Sequence, residues 1–385
     1  MIYIDNNATT FLIPAVRARI EALMAAPIGN PSSPYRLGAE ARSELEQARD
    51  QVADALGTRA DCILFVASGS EANAMALATV QSCEQQRDEI LVSEVEHSSV
   101  TANATLLGGR GYTVRYIPVD GNGRIDLDRL AGMLGLRTAI VSVQWVNNET
   151  GVTQPVEEIA ALCHHVGALY HCDAAQAFGK VPLDLDAQVG ADLVTVTAHK
   201  INGPTGVGAL YARDPALLRP LVGGGDQERG LRGGTENLIG AVGFGTAAAE
   251  RMRTFASATA LIEECRDTFE QAVLTAEPRL LVNGDRAHRV GNTSNLQFPG
   301  IDGAMLVAAL DEQEVYCSQS SACTTARPTP SHVLTAMGLT ETEAYASLRF
   351  SFGVLNTVEE AQRAAGQVVA SYQDLVERLH RLGVA

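Results

Sequence analysis

The sequence predicts an α/β protein with a mostly parallel sheet of the seven-stranded type, followed by a smaller α+β domain. Two observations predict it. Short apolar, β-branched runs alternate with helical periods through roughly the first 250 residues, the mark of βαβ units whose sheet is covered on both faces. Beyond about 250 the alternation gives way to long helices and a few strands. A chain of 385 residues also exceeds what one core usually carries.

The elements follow in order. Amphipathic periods predict helices near 14–26 and 37–56, the second closed by Gly57 as a C-cap. Strands are expected at 63–67, 89–93, 113–119, 139–145, 168–172, 193–197 and 207–211. Helices are expected at 70–80, 98–107 and about 155–166. Glycines at 223–225 and in the run Gly230–Gly234 mark a long loop after the last of these strands. A helix over 250–275 leads into the second domain. Strands near 293–298 and 347–352, a helix at 302–312 and a terminal helix from 357 complete it.

Composition narrows the function. With 45 acidic against 29 basic residues the net charge is −16, which argues against direct nucleic-acid binding through a basic face. Hydrophobic content of 46% with 19% charged residues predicts a packed core. No apolar run is long enough to span a bilayer, and the N-terminus shows no signal-peptide pattern. Seven scattered cysteines read as reduced thiols of a cytoplasmic protein. Cys163, His164, His165, His171 and Cys172 lack metal-site spacing, so no metal is expected.

Ligands of such sheets bind outside the carboxyl ends of the strands. Polar clusters stand at five of those ends: Ser68-Gly69-Ser70-Glu71, Glu96-His97, Asn147-Asn148-Glu149, Asp173-Ala174-Ala175-Gln176 and Thr197-Ala198-His199-Lys200. Only two lysines occur, Lys180 and Lys200. Arginine cannot supply a neutral amine, so amine chemistry falls to one of these two. Lys200 ends an apolar strand, where a lysine is costly unless used or paired. Lys180 lies in a turn-like run and reads as a solvated cation. A lysine that can form a Schiff base, with an aspartate for a pyridinium nitrogen, is what pyridoxal 5′-phosphate requires. Asp173 supplies that aspartate. Gly69 and Ser70 open a helix and can take the cofactor phosphate, with further donors from Thr197 and His199. His97 can stack on the ring, and Gln176 can reach its phenolic oxygen.

Longer motifs carry a resemblance. They are Tyr3-Ile4-Asp5-Asn6-Asn7-Ala8-Thr9-Thr10, Gly29-Asn30-Pro31-Ser32-Ser33, Val146-Asn147-Asn148-Glu149-Thr150-Gly151 and His199-Lys200. With them stand Glu228-Arg229-Gly230, Gly233-Gly234-Thr235-Glu236-Asn237, Ser321-Ala322-Cys323-Thr324 and Pro330-Ser331-His332-Val333-Leu334. From Tyr3 to the terminal helix the chain resembles cysteine desulfurases of the NifS/IscS type, in the class-V aminotransferase group of pyridoxal-phosphate enzymes. Its wording is closer to the nitrogen-fixation branch.

The resemblance implies the type I transferase fold, with 11–250 as the cofactor-binding domain. Residues 1–10 and 251–385 would form the small domain carrying a catalytic cysteine loop. Lys200 would hold the cofactor covalently and Asp173 would pair with its ring nitrogen. Gln176 and Asn148 would lie near the ring oxygen. His97 would stack and help move protons. Gly69, Ser70, Thr197 and His199 would hold the phosphate, and Thr235 would reach the phosphate in the partner of a homodimer. Asn148 and Arg349 would bind substrate, Arg349 clamping its carboxylate. Cys323 would take sulfur from L-cysteine as a persulfide, releasing L-alanine, and pass it to acceptor or scaffold proteins for iron–sulfur cluster or other sulfur-cofactor synthesis. His97 or the released cofactor amine would take the thiol proton.

Ser70 replaces the family's usual threonine at the phosphate helix, and Gln319 stands where the cysteine loop commonly has glycine. The chain stops at Ala385 soon after the last helix, so no long scaffold-docking tail is expected. Two rival readings share these residues: a cysteine lyase or aminotransferase of the same fold, and an inactive scaffold paralogue. Cys317, six residues before Cys323, reads as the buried end of a strand.

Overall fold

The computed structural model describes residues 1–319 and 329–382. The chain begins with β1 (Ile2–Tyr3), α1 (Pro14–Met24) and α2 (Arg36–Leu56). The βαβ region follows with β2 (Ile63–Val66), α3 (Gly69–Ala78), β3 (Glu89–Ser93), α4 (Ser98–Gly108), β4 (Thr113–Ile117) and α5 (Leu127–Met133). It continues through β5 (Thr138–Ser142), α6 (Val156–His165), β6 (Leu169–Asp173), β7 (Leu193–Thr197) and β8 (Gly208–Ala212). These strands make one seven-stranded sheet in the order β2-β8-β7-β6-β5-β3-β4. Only β8 runs antiparallel to its neighbours. The strand registers put the carboxyl ends of β2, β7, β6, β5 and β3 on one edge.

Both faces of the sheet are covered. Val16, Leu45, Val52, Ile159 and Phe244 belong to the apolar cluster on one side, and Met75, Val100 and Leu107 to that on the other. Two helices depart from the sequence reading. Leu127–Met133 is a short helix where none was expected, its start capped by Asp126, which accepts the Arg129 amide at 3.0 Å. The helix read as 250–275 is α8 (Phe255–Ala276), and a helix the reading did not contain, α7 (Leu238–Arg253), precedes it. They break at Thr254, whose hydroxyl donates to the Glu250 carbonyl at 2.9 Å and offers the backbone an alternative to the helix ladder. The glycines of α7 hid it from the sequence. Gly245 is there for packing: a Cβ at that position would sit 2.7 Å from the Ala48 Cα of α2.

The remaining elements are β9 (Leu281–Val282), β10 (Thr293–Gln297), α9 (Gly303–Asp311), β11 (Val315–Tyr316) and β12 (Ser318–Gln319). Then come α10 (His332–Ala336), α11 (Glu341–Tyr345), β13 (Ser347–Ser351) and α12 (Val358–Leu382). A sheet β12-β13-β10-β9 packs through Leu296, Phe298 and Phe350 on Phe269 of α8, Leu306 of α9 and Tyr372 of α12. Phe350 stacks at 4.7 Å from Phe269, and Phe298 at 5.4 Å from Tyr372. Each such ring contributes about 1.5–3 kcal/mol by leaving water. Ile2 and Ile4 join this same cluster, and β1 pairs with β11. Gln319 lies in β12, its amide donating to the Tyr345 carbonyl at 2.8 Å.

Candidate active site

The phosphate side of the site is built by β2, α3 and β8. Ser68 caps α3, its Oγ accepting the Glu71 amide at 3.1 Å, which leaves the amides of Gly69 and Ser70 for another acceptor. Ser70 is exposed beside them. This helix start can approach the sheet because Gly208 has no side chain: a Cβ there would meet the Ser68 carbonyl carbon at 2.9 Å. Gly69 therefore lies against Thr197, whose Cβ is 3.7 Å from where a Gly69 Cβ would stand. The Thr197 hydroxyl donates to the Val207 carbonyl at 3.3 Å.

Lys200 closes a single 3₁₀ turn, Ala198–Lys200, directly after β7. The N-terminal segment straps over it. Lys200 Nζ donates to the Asn7 carbonyl and, at 2.7 Å, to the Ala8 carbonyl. Thr10 bonds the His199 carbonyl through both its amide and its hydroxyl at 2.9 Å. The His199 ring meets Thr9 Oγ1 at 3.2 Å. Burial and the two neighbouring lysines lower its pKa to about 4, so it is neutral near pH 7.

Asn7 is the hub of the floor. Its carbonyl also accepts Gln176 Nε2 at 2.9 Å, and its side-chain amide donates to the Asn148 carbonyl at 3.1 Å and to Thr293 Oγ1 at 2.9 Å. Its Oδ1 accepts Lys180 Nζ at 3.1 Å and Asn292 Nδ2 at 2.9 Å. Lys180 also donates to Gln176 Oε1. The reading of Lys180 as a solvated cation is thus corrected. Its amine is buried beneath the site, and a small cavity is lined by both Lys180 and Lys200. Burial, then Lys200, Arg251 and Arg349, hold its pKa well below the usual lysine range. The turn-like sequence hid this, because the chain after β6 folds back under the N-terminal segment.

Asp173 ends β6 almost fully buried. Its carboxylate accepts Asn73 Nδ2 at 2.7 Å and the Ala175 amide at 3.0 Å. Asn73 Nδ2 also donates to Ser99 Oγ at 2.9 Å, and Ser99 Oγ lies 2.7 Å from His97 Nδ1. Burial lowers the His97 pKa; Asp173 opposes this, while Lys200 and His332 add to it. On the far side, Arg349 of β13 is nearly buried. Nη2 pairs with Asp5 at 2.7 Å, Nη1 donates to the Asn148 carbonyl at 3.1 Å, and Nε has no partner among the described residues. Asp5 also accepts Ser318 Oγ at 2.7 Å. Cys317, between β11 and β12, is half-buried, and burial pushes its thiol up.

The structure therefore gathers Gly69, His97, Asn148, Asp173, Gln176, Thr197, His199, Lys200 and Arg349 around one edge of the sheet. Thr235 lies apart in an exposed loop. Cys323 lies outside the described residues. Sequence reasoning passed over Asp5, Asn7, Asn73, Ser99 and Lys180. Asp5 and Asn7 stand inside a quoted motif, but nothing in the sequence showed that the N-terminus reaches Lys200.

The family model for class-V aminotransferases matches residues 2–364. The chain belongs to that family. A class-V relative named cysteine desulfurase, from Trichormus azollae, is 39% identical over 382 residues, covering 99% of this chain and 94% of its own. Among solved structures, a NifS-like protein superposes with a TM-score of 0.90 at 31% identity, over 97% of this chain and 99% of the other. A second, described as SspA in complex with cysteine, gives 0.81 at 30%, over 92% and 99%. Class-V enzymes of this kind use pyridoxal 5′-phosphate, and the residues here fit it. An open helix start suits a phosphate, an amine ends the adjacent strand, and a buried aspartate faces the same edge. The orphaned Oδ1 of buried Asn73 marks further unmet hydrogen-bonding capacity there.

Proposed function

We propose that the protein is a cysteine desulfurase that converts L-cysteine to L-alanine and carries the sulfur on Cys323 as a persulfide. One observation carries this reading. A strand-end lysine, a buried aspartate and a buried arginine whose Nε has no partner among the described residues converge on one edge, in a chain that also holds the Cys323 motif.

When bound, pyridoxal 5′-phosphate withdraws electrons from the carbons of an attached amino acid. The amides of Gly69 and Ser70, with Thr197 and His199, hold its phosphate, and Lys200 supplies the amine that attaches it. Asp173, its carboxylate accepting Asn73 Nδ2 and the Ala175 amide, would pair with the ring nitrogen and favour its protonated form. Gln176 and Asn148 lie on the ring-oxygen side. His97 covers the ring face.

Arg349 receives the substrate carboxylate. Two parallel hydrogen bonds need two adjacent guanidinium donors; Nε has no partner among the described residues, and Nη2 is shared with Asp5. The Cys323 thiolate would then bond to the substrate sulfur as the substrate's Cβ–S bond breaks, the electron pair and a proton staying with the carbon that leaves as L-alanine, and the persulfide would pass to an acceptor protein for iron–sulfur cluster or related synthesis. Thr235, exposed on its loop, reaches the phosphate of a second copy, making the enzyme a homodimer. Among the described residues no helix is long and apolar enough to cross a membrane, and a cytoplasmic location fits the seven cysteines.

The test is Cys323→Ala. This variant should bind cofactor and change its visible spectrum when cysteine is added, yet release no sulfide under reductant. Wild-type sulfide release from it would refute the persulfide route.

A further inference from the structure

His97 caps α4, and the capping geometry fixes where its proton sits. Nδ1 accepts the Ser99 amide at 3.2 Å. A backbone N–H can only donate, so Nδ1 carries no hydrogen. Ser99 Oγ, 2.7 Å from the same nitrogen, must then donate to it. The hydroxyl hydrogen can turn toward Nδ1 while one lone pair of Ser99 Oγ accepts Asn73 Nδ2 at 2.9 Å. The Asn73 amide cannot be reversed, since its oxygen would then face the Asp173 carboxylate that Nδ2 meets at 2.7 Å.

We infer that Ser99 is a positioning residue that holds His97 as the neutral tautomer with its proton on Nε2. His97, neutral and stacked on the ring face, then does not serve as the base that takes the thiol proton. The reason is one of valence. Nε2 already bears a hydrogen, so a second proton must enter at Nδ1, where two donors already point. Burial is the largest influence and opposes an imidazolium; Asp173 favours one, and Lys200 and His332 oppose it. A neutral imidazole in an active site is a known catalytic arrangement. With His97 excluded, the thiol proton goes to the remaining candidate, the amine released within the site. This last point rests on the desulfurase reading; the tautomer does not.

The test uses the holoenzyme labelled with ¹⁵N-histidine. His97→Gln identifies the His97 signals among the eight histidines. Wild type should show an unprotonated Nδ1 and a protonated Nε2 from pH 6 to 8. Ser99→Ala should let a proton reach Nδ1, with roughly ten-fold higher proton affinity for one lost donor. The acid limb of kcat/KM should move up by a similar factor, and Ser99→Thr should restore both. A wild-type His97 protonated on Nδ1 at pH 7 would overturn the inference. So would Ser99→Ala signals identical to wild type. If Ser99→Ala does not fold, the wild-type spectrum alone decides. Sulfide release is measured separately, so failure of the desulfurase reading is distinguishable.

Discussion

The loop that carries Thr235 is anchored by one buried ion pair, and Glu228→Gln should expose its worth. Arg49 and Glu228 meet through two 2.8 Å bonds, with side chains only 6% and 3% exposed. Glu228 also accepts the Phe65 amide at 3.0 Å, and Arg49 donates to the Ile63 carbonyl at 3.1 Å. The carboxylate thus serves three donors with two oxygens. Glutamine keeps the shape but offers one oxygen, so its NH2 must face a guanidinium or an amide N–H. The guanidinium also loses its main counter-charge, leaving Glu46 at the half-exposed end. Removing one partner of a buried pair costs about 3–5 kcal/mol. At 3 kcal/mol the folded-to-unfolded ratio falls by more than a hundred-fold. Trp145, the one tryptophan in the chain, follows β5 in the same sheet domain, so its fluorescence during urea unfolding reports the loss. The double variant Arg49→Met with Glu228→Leu should cost less than Glu228→Gln alone. A Glu228→Gln loss under 1 kcal/mol, or a double variant costing the sum of its singles, would refute the reasoning.

Lys180→Arg should not be silent. A guanidinium cannot shed its charge beside Lys200, and its extra bulk strains the packed floor by about 1–3 kcal/mol. Pyridoxal-phosphate affinity, read by absorbance titration, should fall about five- to a hundred-fold; an affinity within two-fold of wild type would show that the floor tolerates it. Glu149 supplies a pH test. Burial raises its pKa to about 7, against a Ser331 hydrogen bond of 2.5 Å and nearby Arg349. The folded form prefers the neutral acid, so its stabilising effect is complete below about pH 4.5 and is lost as pH rises through 7. Wild type should lose about 3 kcal/mol over that window relative to Glu149→Gln. Parallel stability profiles for the two proteins would contradict the assignment.

Much of the site was legible because strands write themselves plainly. An apolar run such as Leu193–Thr197, buried along its whole length, announces a central parallel strand, and whatever polar residue follows it must stand at the sheet edge. That logic put Lys200 and Asp173 at the sheet edge, and the family motif then chose Lys200 over Lys180. The helix Leu238–Arg253 was not, because its glycines lower helix propensity and are explained only by the helix they pack against.

The two lysines mark the division most clearly. By itself the sequence determined that amine chemistry was confined to Lys180 and Lys200, since no arginine can supply a neutral amine, and that Lys200 stood at a strand end. That is covalent and local information. Only the tertiary structure decided that Lys180 lies under the same site and that Asn7 joins the two. It also brought Asn73 and Ser99 into one hydrogen-bonded chain from Asp173 to His97. Those contacts join residues up to 193 positions apart, and hydrogen-bond direction depends on where each donor finally points. No local pattern encodes that, because it exists only once the N-terminal segment has closed over the sheet edge.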